Sequence, residues 1–348
     1  IAYPFRAGHM HIELLEILRC PITGQRLVLE QAEYRDEQIY AGWLVSEGGG
    51  HRYPIRGFIP RFVPASNYAD NFGMQWNKFR QTQLDSCSGY PISADRFWKA
   101  TDWRPDDLAG QWVLDAGCGA GRFAEVVLQA GAQVVALDYS GAVDACYANL
   151  KHHPALHLVQ GDIYALPFPK GFFPYAYSLG VLQHTPDVAK AFAALPPILQ
   201  GGGHLCVDIY QKSWKSVLLP KYWLRPITKR MPKVRLFAIL ERIVPEMLPL
   251  SQLLGRVPAL GGGLKRLVPV ANHIGILPLS ESQHLEWSLL DTFDWLSPEF
   301  DYPQTPETIK HWLEGAALEQ VEVLKAGHLV GRGRVPFRPS EGTSPGPV

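Results

Sequence analysis

The chain has 348 residues, 47% of them hydrophobic and 19% charged, which excludes disorder, collagen and coiled coil and is long enough for one large domain with additions or for two domains. No apolar run approaches the roughly 18–20 residues that cross a bilayer, and the first twenty residues lack the order of a signal peptide, so a cytoplasmic protein is expected. The formal net charge of zero is a cancellation: residues 1–210 carry 16 Lys/Arg against 20 Asp/Glu, residues 211–275 carry 12 against 2, and residues 276–348 carry 5 against 11, so neutrality does not argue against a charged partner.

In chain order, residues 1–10 (IAYPFRAGHM) read as an added leader, with Met10 as the natural start. Residues 11–65 alternate short apolar runs with Gly24, Gly48-Gly49-Gly50, Pro54 and Gly57, the pattern of a small β-rich module. Residues 66–110 read as linking helices; Tyr68, Phe72, Trp76 and Phe79 recur at helical spacing and share one face. That face packs on the main domain, or its polar neighbours Gln75, Gln81 and Gln83 close over a ligand.

From Trp112 to Tyr210 strands are expected at 112–116, 133–138, 155–160, 174–179 and 203–210, and helices at 121–130, 141–150 and 187–199. Such alternation means a parallel sheet covered on both faces. Residues 211–300 are helical and basic, broken by prolines from Pro220 to Pro258, and patterning returns with a helix near 306–316 and strands near 319–325 and 328–335. Residues 337–348 read as a disordered tail. Five cysteines (Cys20, Cys87, Cys118, Cys146, Cys206) with no CxxC pair give neither a disulfide framework nor a complete zinc site.

The informative segment is WVLDAGCGAGRF, residues 112–123. A buried strand ends at Asp115, and Gly117, Gly119 and Gly121 make a tight turn that opens a helix and aims backbone N–H groups at a ligand. The spacing is GxGxG, without the GxGxxG of dinucleotide binders or a phosphate-binding lysine. Strand two ends in Asp138, where a carboxylate can accept from both hydroxyls of a ribose, and strand three is followed by Asp162 and Ile163, where an acid can accept from an adenine amino group. Alone, Asp115 could cap the turn and the other two could be ordinary loop acids. Together they surround one crevice at the strand ends, the usual ligand site of an open α/β sheet.

On the residues VLDAGCGAGRFAEVVLQAGAQVVALDYS, GDIYALPFPKGFFPYAYSLGVLQHTPD and LPPILQGGGHLCVDIY, within Val113–Tyr210, the chain resembles class I S-adenosylmethionine-dependent methyltransferases, especially the small-molecule and quinone branch. The resemblance implies an α/β fold with a doubly wound, mostly parallel seven-stranded sheet, assembled here from 111–210 and 301–336. It also implies S-adenosylmethionine as cofactor, S-adenosylhomocysteine as product and no metal. Asp115 and the turn of Gly117, Cys118, Gly119 and Gly121 would hold the methionine end, Asp138 the ribose with Tyr139 beside it, and Asp162 with Ile163 the adenine. Leu179 and Gly180 would form the wall under the transferable methyl. Pro174 departs from the acidic residue usual before strand four and puts that turn in doubt. Cys118 itself reads as a packing residue rather than a nucleophile, and His152, His153 and His157 as a solvated loop.

The N-terminal LEILRCP (15–21) and YPIRGFIP (53–60) resemble a small zinc-ribbon-like module that occurs alone in bacteria and as an activating partner of methyltransferases in eukaryotes. Only Cys20 of that family's four ligands is kept, so a metal-free ribbon is expected.

Methyl transfer from a sulfonium needs alignment, plus a base where the attacking group carries a proton. The candidate base is His184, in SLGVLQHTPD ahead of an expected helix start at Thr185-Pro186-Asp187; its rival role is a structural bond to backbone. Gln183 beside it is placed to touch cofactor or substrate. Acceptor-side candidates are Trp76, Gln83, Trp214, Trp295 and Tyr302. The insert 211–300 reads as a lid that packs on the core, binds an anionic acceptor, or contacts a membrane surface or lipid-linked substrate; nucleic acid fits it least. The acids Asp291, Asp294 and Asp301 either neutralise that lid or line the acceptor pocket. The resulting expectation is a methyltransferase acting on oxygen, nitrogen or carbon of a small-molecule, saccharide or lipid-like acceptor. A tRNA-modifying enzyme and a non-catalytic cofactor-binding scaffold are the alternatives.

Overall fold

The computed structural model describes residues 12–35, 37–64, 66–213 and 219–337; the expected leader, Trp214 and the expected tail from Arg338 lie outside them. After helix α1 (Ile12–Ile17), strands β1 (Leu27–Arg35), β2 (Gln38–Ser46), β3 (Arg52–Arg56) and β4 (Ile59–Pro60) form an antiparallel sheet in sequential order. Helices α2 (Asp70–Lys78), α3 (Asp85–Ser88), α4 (Ile92–Thr101) and α5 (Pro105–Leu108) lead to the second sheet.

That sheet begins with β5 (Trp112–Ala116), α6 (Arg122–Gln129), β6 (Gln133–Asp138), α7 (Ala142–Leu150), β7 (Leu156–Gln160), β8 (Phe173–Leu179), α8 (Val188–Ala193) and β9 (Leu199–Ile209). The insert follows with α9 (Pro220–Thr228), α10 (Lys233–Gly255), α11 (Gly261–Leu264) and α12 (Glu281–Leu296), and the chain returns through α13 (Pro306–Gly315), β10 (Glu319–Ala326) and β11 (His328–Arg334). The order is β10-β11-β9-β8-β5-β6-β7, with only β11 running against its neighbours. This is the doubly wound, mostly parallel seven-stranded α/β sheet expected. Its central strands are nearly continuous runs of buried residues because helices cover both faces.

Four local readings are corrected. The helix expected over 187–199 covers only Val188–Ala193, since the Pro196-Pro197 pair cannot donate to the preceding turn and starts a 3-10 turn instead. Pro226, Pro245 and Pro249 do not break the insert: they sit within α9 and α10 on solvent-facing positions, where water can satisfy the carbonyls they leave unpaired. Pro174 is accommodated at the start of β8, where the ladder to β9 shifts register between Phe173 and Tyr175. His157 is not in a solvated loop; it is buried within β7, its ring 4.9 Å from that of Trp112.

The N-terminal sheet covers the otherwise open edge at β7. Arg61 pairs with Gln160 as a parallel bridge, Phe62 N–H donates to the Gln160 carbonyl at 2.8 Å, and the Arg61 guanidinium reaches Gln160 Oε1 at 2.8 Å and Asp144 at 2.6 Å. Beneath these bonds one apolar cluster joins Leu14, Leu18 and Ile55 of the small module to Leu137, Val159 and Phe168 of the large sheet. Exposed ion pairs contribute little, so burial holds the junction. Leu18 is fully buried in it. Leu18→Ala is expected to cost about 2–4 kcal/mol in denaturant melts while keeping one cooperative transition; separate melting of the module would contradict a shared core.

Candidate functional site

The site begins where β5 ends. Gly117, Gly119 and Gly121 have φ of 101°, 53° and 92°, left-handed values that favour glycine. The Gly117 and Cys118 N–H groups donate to the Leu137 carbonyl at 2.7 and 3.0 Å, tying the turn to β6. A Cβ at Gly121 would stand 2.6 Å from Leu150 Cδ1, so only glycine lets the turn close against α7; Gly119 lies beneath the Trp76 indole, 3.2 Å from the position of a Cβ. Cys118 is buried beside Cys146; this contact and burial hold its thiol protonated, in keeping with a packing role.

Three carboxylates surround the turn. Asp115 is buried and its Oδ2 has no hydrogen-bond partner. Burial pushes its pKa up to about 8; the nearby Tyr177 hydroxyl acts the other way, and the Asp138 charge adds to the rise. The Tyr177 hydroxyl does not complete a hydrogen bond. Asp138 accepts from Gly119 N–H at 2.9 Å through Oδ2, and from Ser140 N–H at 2.8 Å and Ser140 Oγ at 2.7 Å through Oδ1. Burial still raises its pKa against those bonds. Asp162 accepts from Tyr164 N–H at 2.9 Å, is also raised by burial, and is followed by the buried Ile163.

Helix α2 and its approach lie across this crevice. Tyr68 stacks on Tyr139 at 4.9 Å and feels the Asp162 charge; burial foremost drives its pKa up. Phe72 is 5.2 Å from the His184 ring, and Phe79 is 5.6 Å from Phe237 of α10. The aromatic face therefore bridges the large sheet, the turn and the insert.

Leu179 and Gly180 end β8, where the Gly180 N–H donates to the Asp208 carbonyl at 3.3 Å. Gln183 is fully buried, and neither its Oε1 nor its Nε2 has a partner. His184 Nδ1 lies 3.0 Å from the Phe300 carbonyl. A carbonyl only accepts, so Nδ1 carries a proton, and in the neutral tautomer the lone pair is then at Nε2. That Nε2 is buried without a partner. The ring stands 5.5 Å from Tyr210, whose hydroxyl donates to Asp294 at 3.1 Å; Gln75 donates to the other Asp294 oxygen at 3.4 Å. Burial raises the Asp294 pKa, with His184 acting the other way. Lys221 of α9 lies 3.5 Å from Asp301 and 5.2 Å from the Tyr210 ring centre.

The other expected residues distribute unevenly. Gln83 accepts from Arg122 at 3.0 Å and donates to Asp291 at 3.4 Å, so it is bound into the wall on the α6 side. Trp295 is 5.9 Å from Lys221 Nζ, and its carbonyl accepts from Arg225 at 2.9 Å. Tyr302 is 45% exposed and faces an outer groove with Pro186, Gln304, Thr305 and Trp312; only its backbone N–H reaches the Gln183 carbonyl, at 2.9 Å.

Residues that sequence reasoning did not select include Arg96, bound to the buried Asp208 at 2.7 Å, and Arg122, whose pKa falls to about 9 through burial first and then Arg96. His328 is close to both arginines, and burial lowers its pKa to about 4. Asp208 had a usable signal, an acid near the end of an apolar strand, as at Asp115 and Asp138. The arginines, on helices with many charged neighbours, had none. No group of three or more His, Cys, Asp or Glu side chains suited to a metal ion occurs among the described residues, and Cys20 Sγ lies 3.2 Å from the Tyr53 hydroxyl.

Residues 114–207 match the methyltransferase-domain family model and residues 11–57 the Trm112p-like one. A ubiquinone biosynthesis O-methyltransferase of Thiobacillus denitrificans is 32% identical over 130 residues, 36% of this chain and 56% of that protein. Its namesake from Albidiferax ferrireducens is 31% identical over 116 residues, 32% of this chain and 46% of that protein. The chain thus spans about half the length of these relatives. Among solved structures, a methyltransferase of Aquifex aeolicus overlaps with TM-score 0.39 at 10% identity, covering 78% of this chain and 100% of that one. The sheet order is that of the class I methyltransferase fold, and the matched segments place a methyltransferase domain (114–207) and a Trm112p-like module (11–57) in one chain.

Proposed function

We propose that this chain binds S-adenosylmethionine at the glycine turn and methylates an oxygen of a small or lipid-like hydroxylated acceptor in the cytoplasm. The observation that carries the reading is the set of three carboxylates at the ends of β5, β6 and β7, of which Asp115 is buried with an oxygen unpartnered. The residues fit the cofactor. A buried carboxylate with one oxygen lacking a donor suits the α-ammonium of a methionine, Asp138 keeps accepting capacity for ribose hydroxyls, and Asp162 with Ile163 offers an acceptor and an apolar wall for adenine. The oxygen preference draws support from the O-methyltransferase relatives and from the free lone pair on His184.

When bound, the cofactor supplies an electrophilic methyl group on a sulfonium. Leu179 and Gly180 would form the wall beneath it, and Gln183 would orient the reacting groups through its two open amide positions. His184 accepts the acceptor's hydroxyl proton at Nε2 while its Nδ1–H remains on the Phe300 carbonyl. Trp76 and the rest of the α2 face exclude water from the crevice.

Asp138→Ala is expected to weaken S-adenosylhomocysteine binding by at least about tenfold, as read by isothermal titration; unchanged affinity removes the ribose assignment. With a panel of phenols and catechols as acceptors, His184→Ala should slow S-adenosylhomocysteine release by roughly a hundredfold or more at unchanged cofactor affinity. Full activity in that variant would leave alignment alone as the source of rate.

A further inference from the structure

The insert exposes an uncommon amount of apolar surface. Of the 18 large hydrophobic side chains that are exposed among the described residues, 11 lie between Trp223 and Ile276. Helix α10 accounts for much of this. Its inner face, Leu236, Phe237, Leu240, Val244 and Leu248, is buried in the cluster shared with α12. The opposite side is not uniformly polar: Val234 is 73% exposed and Leu253 63%, and Ile243 and Leu250 are exposed as well. Ile227 of α9 and Leu260 before α11 continue the exposed apolar surface. Exposed apolar side chains in such number mark an interaction surface.

The charges on this surface are mostly of one sign. Arg230, Arg235, Arg242, Arg256 and Arg266 are exposed and form no ion pair among the described residues. Of the two acids in residues 219–275, Glu241 is already paired with Lys78 at 2.8 Å, which leaves Glu246. Aliphatic side chains interleaved with unpaired guanidinium groups require a partner that offers an apolar phase directly beneath a layer of negative charge. A second copy of the same face would bring five arginines against five. Nucleic acid supplies phosphates but no medium for Val234, Leu250 and Leu253. No described helix is long and apolar enough to cross a membrane, so the face would lie on a surface rather than span it.

We propose that the outer face of α9, α10 and α11 docks on a bilayer containing anionic phospholipid, with the aliphatic side chains at the acyl boundary and the arginines among the headgroup phosphates. The inference does not rest on the methyl-transfer reading, since docking requires neither cofactor nor acceptor.

The test is co-sedimentation of the full chain with vesicles of phosphatidylcholine or of phosphatidylglycerol at low and high salt. Binding to phosphatidylglycerol that weakens with salt, and little binding to phosphatidylcholine, is expected. The pair Arg235→Glu and Arg242→Glu should weaken it by roughly tenfold or more, and the pair Val234→Ser and Leu253→Ser should weaken it as well. Circular dichroism melts and S-adenosylhomocysteine affinity should be unchanged in both. Absence of binding to phosphatidylglycerol, or binding indifferent to both pairs of substitutions, overturns the proposal. So does a concentration-dependent dimer in light scattering that the substitutions abolish, since the face then belongs to a second copy.

Discussion

A carboxylate oxygen held in a protein interior without a donor is costly in the charged form, and Asp115 Oδ2 is in that position. Its buried strand-end setting follows from the glycine turn: φ values of 101°, 53° and 92° let the chain reverse tightly while its first N–H groups bond to the Leu137 carbonyl rather than to the carboxylate. The turn therefore fixes β5 against β6 and leaves an acceptor without its complement. The same turn sets the position of Asp138 through the Gly119 N–H, so two of the three carboxylates are arranged by one backbone feature.

The rest of the structure encloses this feature. Helix α2 lays Trp76 on Gly119, Phe72 near His184 and Phe79 against α10, linking the insert to the sheet by aromatic contacts. From the insert side, Tyr210, Asp294, Asp301 and Lys221 form a second polar cluster next to His184. Polar atoms are left without partners in both places, on Asp115, Gln183, His184 and Asp301, and on the proposed reading these are the groups that ligands complete. At the far side, the Trm112p-like module seals the β7 edge and shares its apolar core with the large sheet, so the strand carrying Gln160 just ahead of Asp162 is held from both directions.

The sheet and the carboxylates at the ends of β5, β6 and β7 were legible in the sequence because their signals are local. Glycines at a turn and an acid ending an apolar strand each depend on a few consecutive residues. The helix that stopped at Ala193 instead of 199 shows the limit of periodicity where two prolines follow it. Pro245 and Pro249 show the reverse, a helix that continues because its prolines face water. Arg96 with Asp208 and Tyr210 with Asp294 could not be paired from the sequence, as their partners lie 112 and 84 positions away.

On the proposed reading, the cofactor's ammonium completes Asp115. With its pKa raised to about 8, this carboxyl is mostly protonated at pH 7, and a cation placed beside it lowers the pKa and drives the proton off. Isothermal titration of S-adenosylmethionine at pH 7, repeated in buffers of different ionisation enthalpy, measures that proton directly. Net release is expected from the native chain relative to Asp115→Asn, fading as the pH is raised above about 9, where the free carboxyl is already ionised. Equal proton exchange in the two proteins would contradict it.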